Sequence, residues 1–153
     1  MRICLIGKNL TNLVLAKNLA NKNLNIDIIF NKKTNIKSTD RTLGISKENF
    51  NFLLKINKKM KIPVWPIKNI KIYNDKNDSR KLLEFKNKIE ENFFLIKYSN
   101  ILNSFEKICK NNNFIKFKKL SYDSLDNNFL LKKNYQLIIN SDKNNNLSKK
   151  IFN

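Results

Sequence analysis

The sequence predicts an α/β protein in which a parallel sheet carries a small antiparallel insertion. In the first 30 residues an apolar run (residues 2–6) ends at Gly7, a helical pattern follows, and a second apolar run occupies residues 26–30. Strand, turn, helix and strand at this spacing form a βαβ unit, whose strands are parallel and whose crossover is right-handed. Residues 67–73 instead alternate between apolar and polar, which is typical of a half-buried antiparallel strand.

Three helices are predicted from apolar residues that recur at helical spacing. Thr11 is expected to cap the first helix and Ser46 the second, because each hydroxyl precedes a helical pattern. The third helix carries Lys107 and Lys110 near its C-terminus, where positive charge complements the helix dipole. The apolar positions of the three helices are 13, 16, 19 and 20; 50, 53, 54 and 56; and 101, 102, 105, 108 and 109.

The remaining apolar runs are assigned to strands, whereas the polar residues 31–46 are expected to be irregular. Helix-length segments separate four of the runs, which favours their return to one parallel sheet. That predicted sheet contains residues 3–6, 26–30, 114–117 and 137–139. The antiparallel strands are expected at residues 67–73, 82–85 and 93–98, and a further strand at 129–131.

We find no internal repeat and no linker, so residues 1–153 are predicted to form one domain. Its parallel core is expected to comprise residues 1–60 and 100–142, and the antiparallel insertion residues 66–98. The architecture is therefore that of a Rossmann-like half with an inserted antiparallel sheet.

The net charge of +19 comes from 31 Lys and Arg against 12 Asp and Glu. A basic nucleic-acid-binding module is one interpretation of this charge. However, Lys, Asn, Ile and Phe, whose codons are rich in A and T, are all abundant, so codon bias alone would raise the charge. Lys is spread along the whole chain, and only three residues are Arg, the side chain preferred for reading phosphates and bases. We therefore expect no specific nucleic-acid partner.

Histidine is absent, and Cys4 and Cys109 are too far apart in sequence to form a CxxC pair, so no metal site is expected. Both cysteines have apolar neighbours, which indicates buried, reduced thiols in a cytoplasmic protein. No apolar run approaches the roughly 20 residues that span a bilayer, so we expect no transmembrane segment.

The first βα turn is the first candidate site. Dinucleotide-binding folds place a GxGxxG motif there, because a tight turn and a close approach to pyrophosphate both require small residues. Here the six positions read Gly7-Lys-Asn-Leu-Thr-Asn12, so Asn9 and Asn12 occupy the second and third glycine positions. An ordinary βα turn without a ligand is an equally simple interpretation.

The end of the second strand is another candidate, because an acidic residue there usually binds ribose hydroxyls. This sequence has Asn31 at that point, which can donate or accept a hydrogen bond but carries no charge. Asp27, inside the strand, is interpreted as a structural or surface residue.

Three segments, taken in order, resemble the flavin-dependent aromatic hydroxylases. They are Asp40-Arg-Thr-Leu-Gly-Ile-Ser46, Pro66-Ile-Lys-Asn-Ile-Lys-Ile-Tyr-Asn-Asp75 and Leu137-Ile-Ile-Asn-Ser-Asp142-Lys-Asn-Asn-Asn146-Leu-Ser-Lys149. The last is similar to an Ala-Asp-Gly-x-x-Ser-x-x-Arg motif, with Lys143 in place of its glycine. The similarity is greatest to the ubiquinone-biosynthesis branch, whose members have a fold like that of para-hydroxybenzoate hydroxylase. The family is more than twice as long, so the chain is expected to be its N-terminal part.

The resemblance implies an FAD-binding Rossmann-like fold and an FAD-dependent monooxygenase, with NAD(P)H as reductant, that hydroxylates a small aromatic or prenylated phenol. It implies that Gly7, Asn9 and Asn12 face the pyrophosphate and that Asn31 faces the adenosine ribose. It also implies that Arg41 pairs with phosphate or approaches the flavin edge, and that Asp142 binds the ribityl hydroxyls. A separate C-terminal half and peripheral membrane association are further implications.

Two alternatives to this function stay open. One is a non-catalytic or split remnant that folds but binds FAD weakly, because two glycines and the ribose acid are missing. The other is the basic nucleic-acid-binding module, although no aromatic motif is interleaved with its basic residues. For Arg41, the alternative role is a surface residue paired with Asp40 or Glu48.

Overall fold

The computed structural model describes residues 1–31, 41–74, 80–86, 91–122 and 133–142. It divides into two compact units, one formed by residues 1–39 and 102–153 and the other by residues 40–101. The predicted strand at 129–131 lies outside the described residues. In chain order the elements are β1 (Arg2–Ile6), α1 (Leu10–Ala20), β2 (Asn25–Asn31), β3 (Thr42–Ser46), α2 (Lys47–Ile56), β4 (Trp65–Ile67), β5 (Asn69–Tyr73), β6 (Lys81–Lys86), β7 (Phe93–Lys97), α3 (Tyr98–Lys110), β8 (Ile115–Leu120) and β9 (Leu137–Asn140).

The first unit is built on a four-stranded sheet with the order β8-β2-β1-β9. All three strand pairings are parallel, which confirms that the four apolar runs predicted for one parallel sheet do share it. The middle residues of β1 and β2, at the centre, are buried and apolar apart from Asp27, the pattern of strands that are covered on both faces.

Each face of the sheet has its own buried residues, because successive side chains of a strand point to opposite faces. Ile3 and Leu5 lie on the face that packs against α1, whose Leu13 and Ala16 are fully buried. The opposite face is formed by Cys4, Ile6 and Ile29, and it is covered by Leu120, Tyr122 and Tyr135.

Helix α1 begins earlier than predicted. Asn9, not Thr11, is its N-cap, and the Asn9 side chain accepts a hydrogen bond from the backbone N–H of Asn12. The prediction of Thr11 was wrong because Asn is at least as good an N-cap as Thr and stands two residues closer to the turn. For α2 the predicted cap is confirmed, since Ser46 Oγ accepts from the backbone N–H of Asn49 at 3.3 Å.

The second unit is antiparallel and contains a three-stranded sheet, β3-β7-β4, and a separate two-stranded sheet, β5-β6. Residues 42–46, expected to be irregular, form β3 instead because they pair along their whole length with β7, about 50 positions away. The alternating run at 67–73 is divided between β4 and β5. This unit spans residues 40–101 and so includes β3 and α2 as well as the strands predicted for the insertion.

A buried carboxylate ties the first unit together. Asp27, in the middle of β2, is 2% exposed, and its Oδ2 accepts from Arg2 Nε at 2.9 Å, Lys118 Nζ at 2.8 Å and Tyr135 Oη at 2.6 Å. Burial alone would raise the pKa of Asp27, but these hydrogen bonds and the Lys118 and Arg2 charges outweigh burial and hold the pKa below its ordinary value. The expected structural role of Asp27 matches this network.

Both cysteines are free and buried, as the sequence indicated. Burial is the main cause that raises the pKa of each thiol to about 12, so both remain protonated and unreactive at neutral pH. The Cys109 thiol donates to the carbonyl of Leu13 at 3.3 Å and so joins α3 to α1. None of the three described helices is long and apolar enough to cross a membrane.

Candidate functional site

The candidate site lies at the carboxyl edge of the parallel sheet. Because all four strands run in the same direction, the residues that end or follow them meet at one edge, where ligands of open α/β sheets bind. These residues are Gly7 after β1, Asn31 at the end of β2, Tyr122 after β8 and Asp142 after β9.

Gly7 has a backbone conformation that excludes a side chain. Its φ of +108° is one that L-residues rarely adopt, and a Cβ there would lie 2.9 Å from Asp142 Cβ and 3.3 Å from Asp142 N. The Gly7 N–H donates to the carbonyl of Ile29 at 2.7 Å, which continues the β1–β2 ladder into the turn. The β1–α1 turn therefore lies directly against the chain that follows β9.

Asn9 occupies the second glycine position and has two roles. Its side-chain oxygen caps α1, and its Nδ2 donates to Ser141 Oγ at 2.8 Å and to the Ser141 carbonyl at 3.2 Å. The amide thus fills the space that a glycine would leave open between the turn and the end of β9. A ligand that approaches the turn closely must displace this amide or bind beside it.

Asn12 occupies the third glycine position, where α1 packs on the sheet. Its side chain is fully buried, and Nδ2 donates to the carbonyls of Gly7 at 2.8 Å and Ile6 at 3.0 Å. Within the described residues its Oδ1 is buried without a partner. In this geometry the Asn12 side chain stabilises the helix–strand contact and is closed to a ligand, so the pyrophosphate contact implied for it is not available to that side chain.

Tyr122 connects the ends of three strands and was not identified from the sequence. Its hydroxyl donates a short hydrogen bond to Asp142 Oδ2, and the backbone amide of Asn31 hydrogen-bonds the same phenol oxygen. Burial raises the pKa of Tyr122, and the bond to Asp142 raises it further, so the phenol remains a donor. The signal available in the sequence was its position just after a predicted parallel strand.

Arg41 belongs to the second unit, residues 40–101. Its guanidinium carbon lies 4.1 Å from the centre of the Tyr98 ring, and its carbonyl accepts from the backbone N–H of Tyr98 at 2.9 Å. Asp40, one of its two suggested surface partners, lies outside the described residues. The role implied for Arg41 toward phosphate or flavin stays a prediction.

The helix N-terminus at the β1–α1 turn favours anion binding, but the nearby lysine is already paired with a carboxylate. The N-terminus of α1 presents backbone N–H groups and the positive end of the helix dipole. Lys8 is in the turn, but its Nζ is engaged by both carboxylate oxygens of Glu106 at 3.2 and 3.3 Å. Burial opposes ionisation of Glu106, but hydrogen bonds from Lys110 and from Lys8, together with the charges of both lysines, outweigh it and hold the pKa of Glu106 below its ordinary value.

The backbone groups of the β1–α1 turn are suited to bind the phosphates of FAD, whereas the side chains around the turn are less well suited to bind FAD. Gly7 and the first turn of α1 provide the close approach and N–H donors that a pyrophosphate needs. Asn9 narrows that approach, and Asn31 offers an amide where a carboxylate usually binds ribose. Among the described residues, no group of three or more Cys, Asp or Glu side chains is placed to hold a metal ion.

No family model and no curated protein matches this sequence. Solved structures do match its fold. A probable FAD-dependent monooxygenase, pqsL, from Pseudomonas aeruginosa matches 78% of this chain with a TM-score of 0.60 and 7% identity. The p-nitrophenol 4-monooxygenase PnpA from Pseudomonas putida DLL-E4 matches 76% with a TM-score of 0.58 and 7% identity. CtdE, solved in complex with FAD, matches 76% with a TM-score of 0.51 and 13% identity.

The match covers 32% of pqsL, 31% of PnpA and 30% of CtdE, so this chain spans about a third of their length. At these identities the likeness shows a shared fold and carries no residue roles. The chain has a mixed α/β fold, a Rossmann-type parallel sheet with antiparallel strands, and the part it matches makes up about a third of each of these three proteins.

Proposed function

We propose that this chain is the FAD-binding part of an FAD-dependent monooxygenase, and that it binds the pyrophosphate of FAD at the β1–α1 turn. The observation that carries the proposal is Gly7, where a positive φ and the 2.9 Å distance from its Cβ position to Asp142 Cβ make any side chain strained. A constraint of this kind at the first turn of a parallel sheet is typical of dinucleotide-binding sites. The shared fold with FAD-dependent monooxygenases supports the choice of FAD.

Each residue of the site would have a definite task. The Gly7 backbone and the first N–H groups of α1 would bind the pyrophosphate, and Asn31 and Asp142 would lie near the sugar hydroxyls. Arg41 would neutralise phosphate or contact the flavin edge. FAD reduced by NAD(P)H supplies the oxygen-activating chemistry, whereas the protein orients it and excludes water.

The finer proposal is hydroxylation of an aromatic or prenylated phenol, as in ubiquinone biosynthesis. It rests on the resemblance of residues 40–46, 66–75 and 137–149 to that branch of hydroxylases. Because the chain spans about a third of the matched monooxygenases, we propose that a C-terminal part, on this or another polypeptide, completes the substrate pocket. We propose a cytoplasmic location with peripheral attachment to the membrane for a prenylated substrate.

The affinity of the 153-residue chain for FAD is expected to be micromolar or weaker, about −8 kcal/mol or less favourable. The reason is that FAD must compete with the two hydrogen bonds from Asn9 to Ser141 and finds no carboxylate at the end of β2. Titration calorimetry with FAD measures this directly, and riboflavin, which lacks the pyrophosphate, is the control ligand. Retention of stoichiometric FAD through gel filtration at nanomolar protein would contradict the expected weak site.

The two glycines of the chain provide a matched pair of variants. Gly7→Ala is expected to abolish measurable FAD binding and to lower the melting temperature, because its Cβ collides with Asp142. Gly44→Ala is expected to leave both unchanged, since the nearest atom to its Cβ is Leu95 Cδ2 at 3.9 Å. Circular dichroism establishes that each variant is folded. Equal FAD affinity in wild type and a folded Gly7→Ala variant would rule out this turn as the FAD site.

A further inference from the structure

A second cavity, of about 280 Å³, opens at the amino edge of the parallel sheet, at the other end of the strands from the β1–α1 turn. Its lining comes from the beginnings of three neighbouring strands, β1, β2 and β8. None of the residues assigned to FAD lines this cavity. The lining residues are Arg2, Asn25, Ile26, Asp27, Phe114 and Lys116.

The polar side chains of the cavity project from one face of the sheet. Partners in a parallel pairing project to the same face, and the register joins Arg2 to Asn25 and Asp27 to Lys116. Asn25 and Asp27 are two positions apart on β2, so both pairs share that face. Residues of both charges therefore meet in a small space at the amino edge.

Asp27 brings an acceptor into the cavity. The residue is 2% exposed, and its Oδ2 is shared by the three donors described above. Its Oδ1 accepts no hydrogen bond within the described residues. Oδ1 is not enclosed by protein either, because among those residues Asn12 Oδ1 is the one buried side-chain polar atom without a partner. Since Asp27 lines the cavity, its Oδ1 is a carboxylate oxygen that a ligand there can reach.

Three side chains bring donors into the same cavity. The Arg2 guanidinium is oriented by Asp27, which contacts its Nε at 2.9 Å and Nη2 at 2.8 Å, and by the Tyr135 ring, whose centre lies 5.2 Å away. This leaves Arg2 Nη1 for a ligand. The Lys116 ammonium and the Asn25 amide have no hydrogen-bond or ion-pair partner in the described part of the chain.

A ligand that matches this cavity carries a negative group and a hydrogen-bond donor close together. Guanidinium and ammonium groups bind carboxylates well, whereas Asp27 Oδ1 requires an N–H or O–H donor. An anion without a donor, such as sulfate, leaves Oδ1 unmatched, and a simple amine meets the Arg2 and Lys116 cations. The volume is that of roughly nine molecules of liquid water, which suits a ligand of about that number of non-hydrogen atoms.

We propose that this cavity binds a small zwitterion of the α-amino acid class. Its carboxylate would contact Arg2 and Lys116, its ammonium Asp27 Oδ1, and its side chain the Phe114 ring. The inference does not depend on the proposed function, because the two sites share no residue.

Calorimetric titrations of the wild type compare L-leucine with 4-methylpentanoate, which lacks the ammonium, with 3-methylbutylamine, which lacks the carboxylate, and with sulfate. About 0.2 M NaCl screens the nonspecific attraction of anions to a chain of charge +19. Leucine is expected to bind at least tenfold more tightly than any of the three, the usual effect of one charged hydrogen bond. Equal binding of sulfate or of either analogue overturns the proposal, and so does a failure of leucine to bind at about 10 mM.

Lys116→Gln is expected to weaken leucine binding about tenfold and to leave FAD affinity unchanged. Lys119→Gln is the matched control, because Lys119 is exposed on the same strand but projects to the other face. Circular dichroism establishes that both variants are folded. An equal loss in the two variants would reflect overall charge and overturn the proposal. The contact with Asp27 is tested on the wild type by 4-methylpentanoate, since Asp27→Asn itself is expected to lose stability.

Discussion

Replacing Asp27 with Asn is expected to lower the free energy of unfolding by about 3 kcal/mol, near the lower end of the range for breaking a buried ion pair. Asp27 Oδ2 is the shared acceptor for Arg2, Lys118 and Tyr135, and its side chain is only 3% exposed. Asn keeps the size of the side chain but loses the charge that holds two cations. For a chain of 153 residues this corresponds to a fall of roughly 6–12 °C in melting temperature.

The pH dependence of stability provides a second test of the role of Asp27. Because the pKa of Asp27 lies below its ordinary value of 3.8, its contribution to stability is present above that value and is lost as the pH falls through the lower folded-state pKa. The difference in stability between wild type and Asp27→Asn is therefore expected to be constant near neutral pH and to shrink below about pH 4. Chemical denaturation from pH 7 to pH 3 measures this difference.

Glu84 provides the control for Asp27. Its carboxylate accepts a hydrogen bond from Lys81 Nζ at 2.5 Å at an exposed position of the two-stranded β5-β6 sheet, so Glu84→Gln is expected to leave the melting temperature essentially unchanged. Equal effects of Asp27→Asn and Glu84→Gln would mean that the buried network does not stabilise the parallel sheet.

The parallel sheet could be predicted because each of its strands is a short apolar segment that can be identified from neighbouring residues alone. Each of the four runs is apolar and short, and a helical pattern stands between the first two and again directly before the third, so the period and the spacing together indicate one buried parallel sheet. The strands of the antiparallel unit were harder to predict from the sequence. β3 contains Gly44 and has little apolar character of its own, and it becomes a strand only through pairing with β7.

Site residues could be predicted from the sequence where their role depends on the local chain alone. They could not be predicted where the role depends on contacts with residues far away in the sequence. Gly7 follows from the pattern of strand, glycine and helix, and the structure shows the constraint that excludes a side chain there. Tyr122 and Tyr135 acquire their roles from carboxylates 20 and 108 positions away. No local pattern reports such contacts, so the sequence named Asp142 and Asp27 without the phenols that orient them.

The two asparagines at the glycine positions are expected to respond oppositely to replacement by glycine. Asn12→Gly should lower the free energy of unfolding by about 2 kcal/mol, mainly through the loss of buried hydrogen bonds, with a smaller contribution from the lower helix propensity of glycine. The carbonyl of Gly7, now bonded to Asn12 Nδ2 at 2.8 Å, would lose that partner. No gain in FAD affinity is expected, because the Asn12 side chain is enclosed between helix and sheet.

Asn9→Gly should instead cost little stability, since glycine is nearly as good an N-cap, and should bind FAD about tenfold more tightly. The gain arises because the Asn9 amide no longer occupies the space beside Ser141, and because its bonds there need not be broken when pyrophosphate approaches α1. Calorimetric titration with FAD, alongside thermal melts, separates the two variants. A folded Asn9→Gly variant with unchanged or weaker FAD affinity would exclude a flavin site at this turn and favour a remnant that has kept the fold and lost the cofactor.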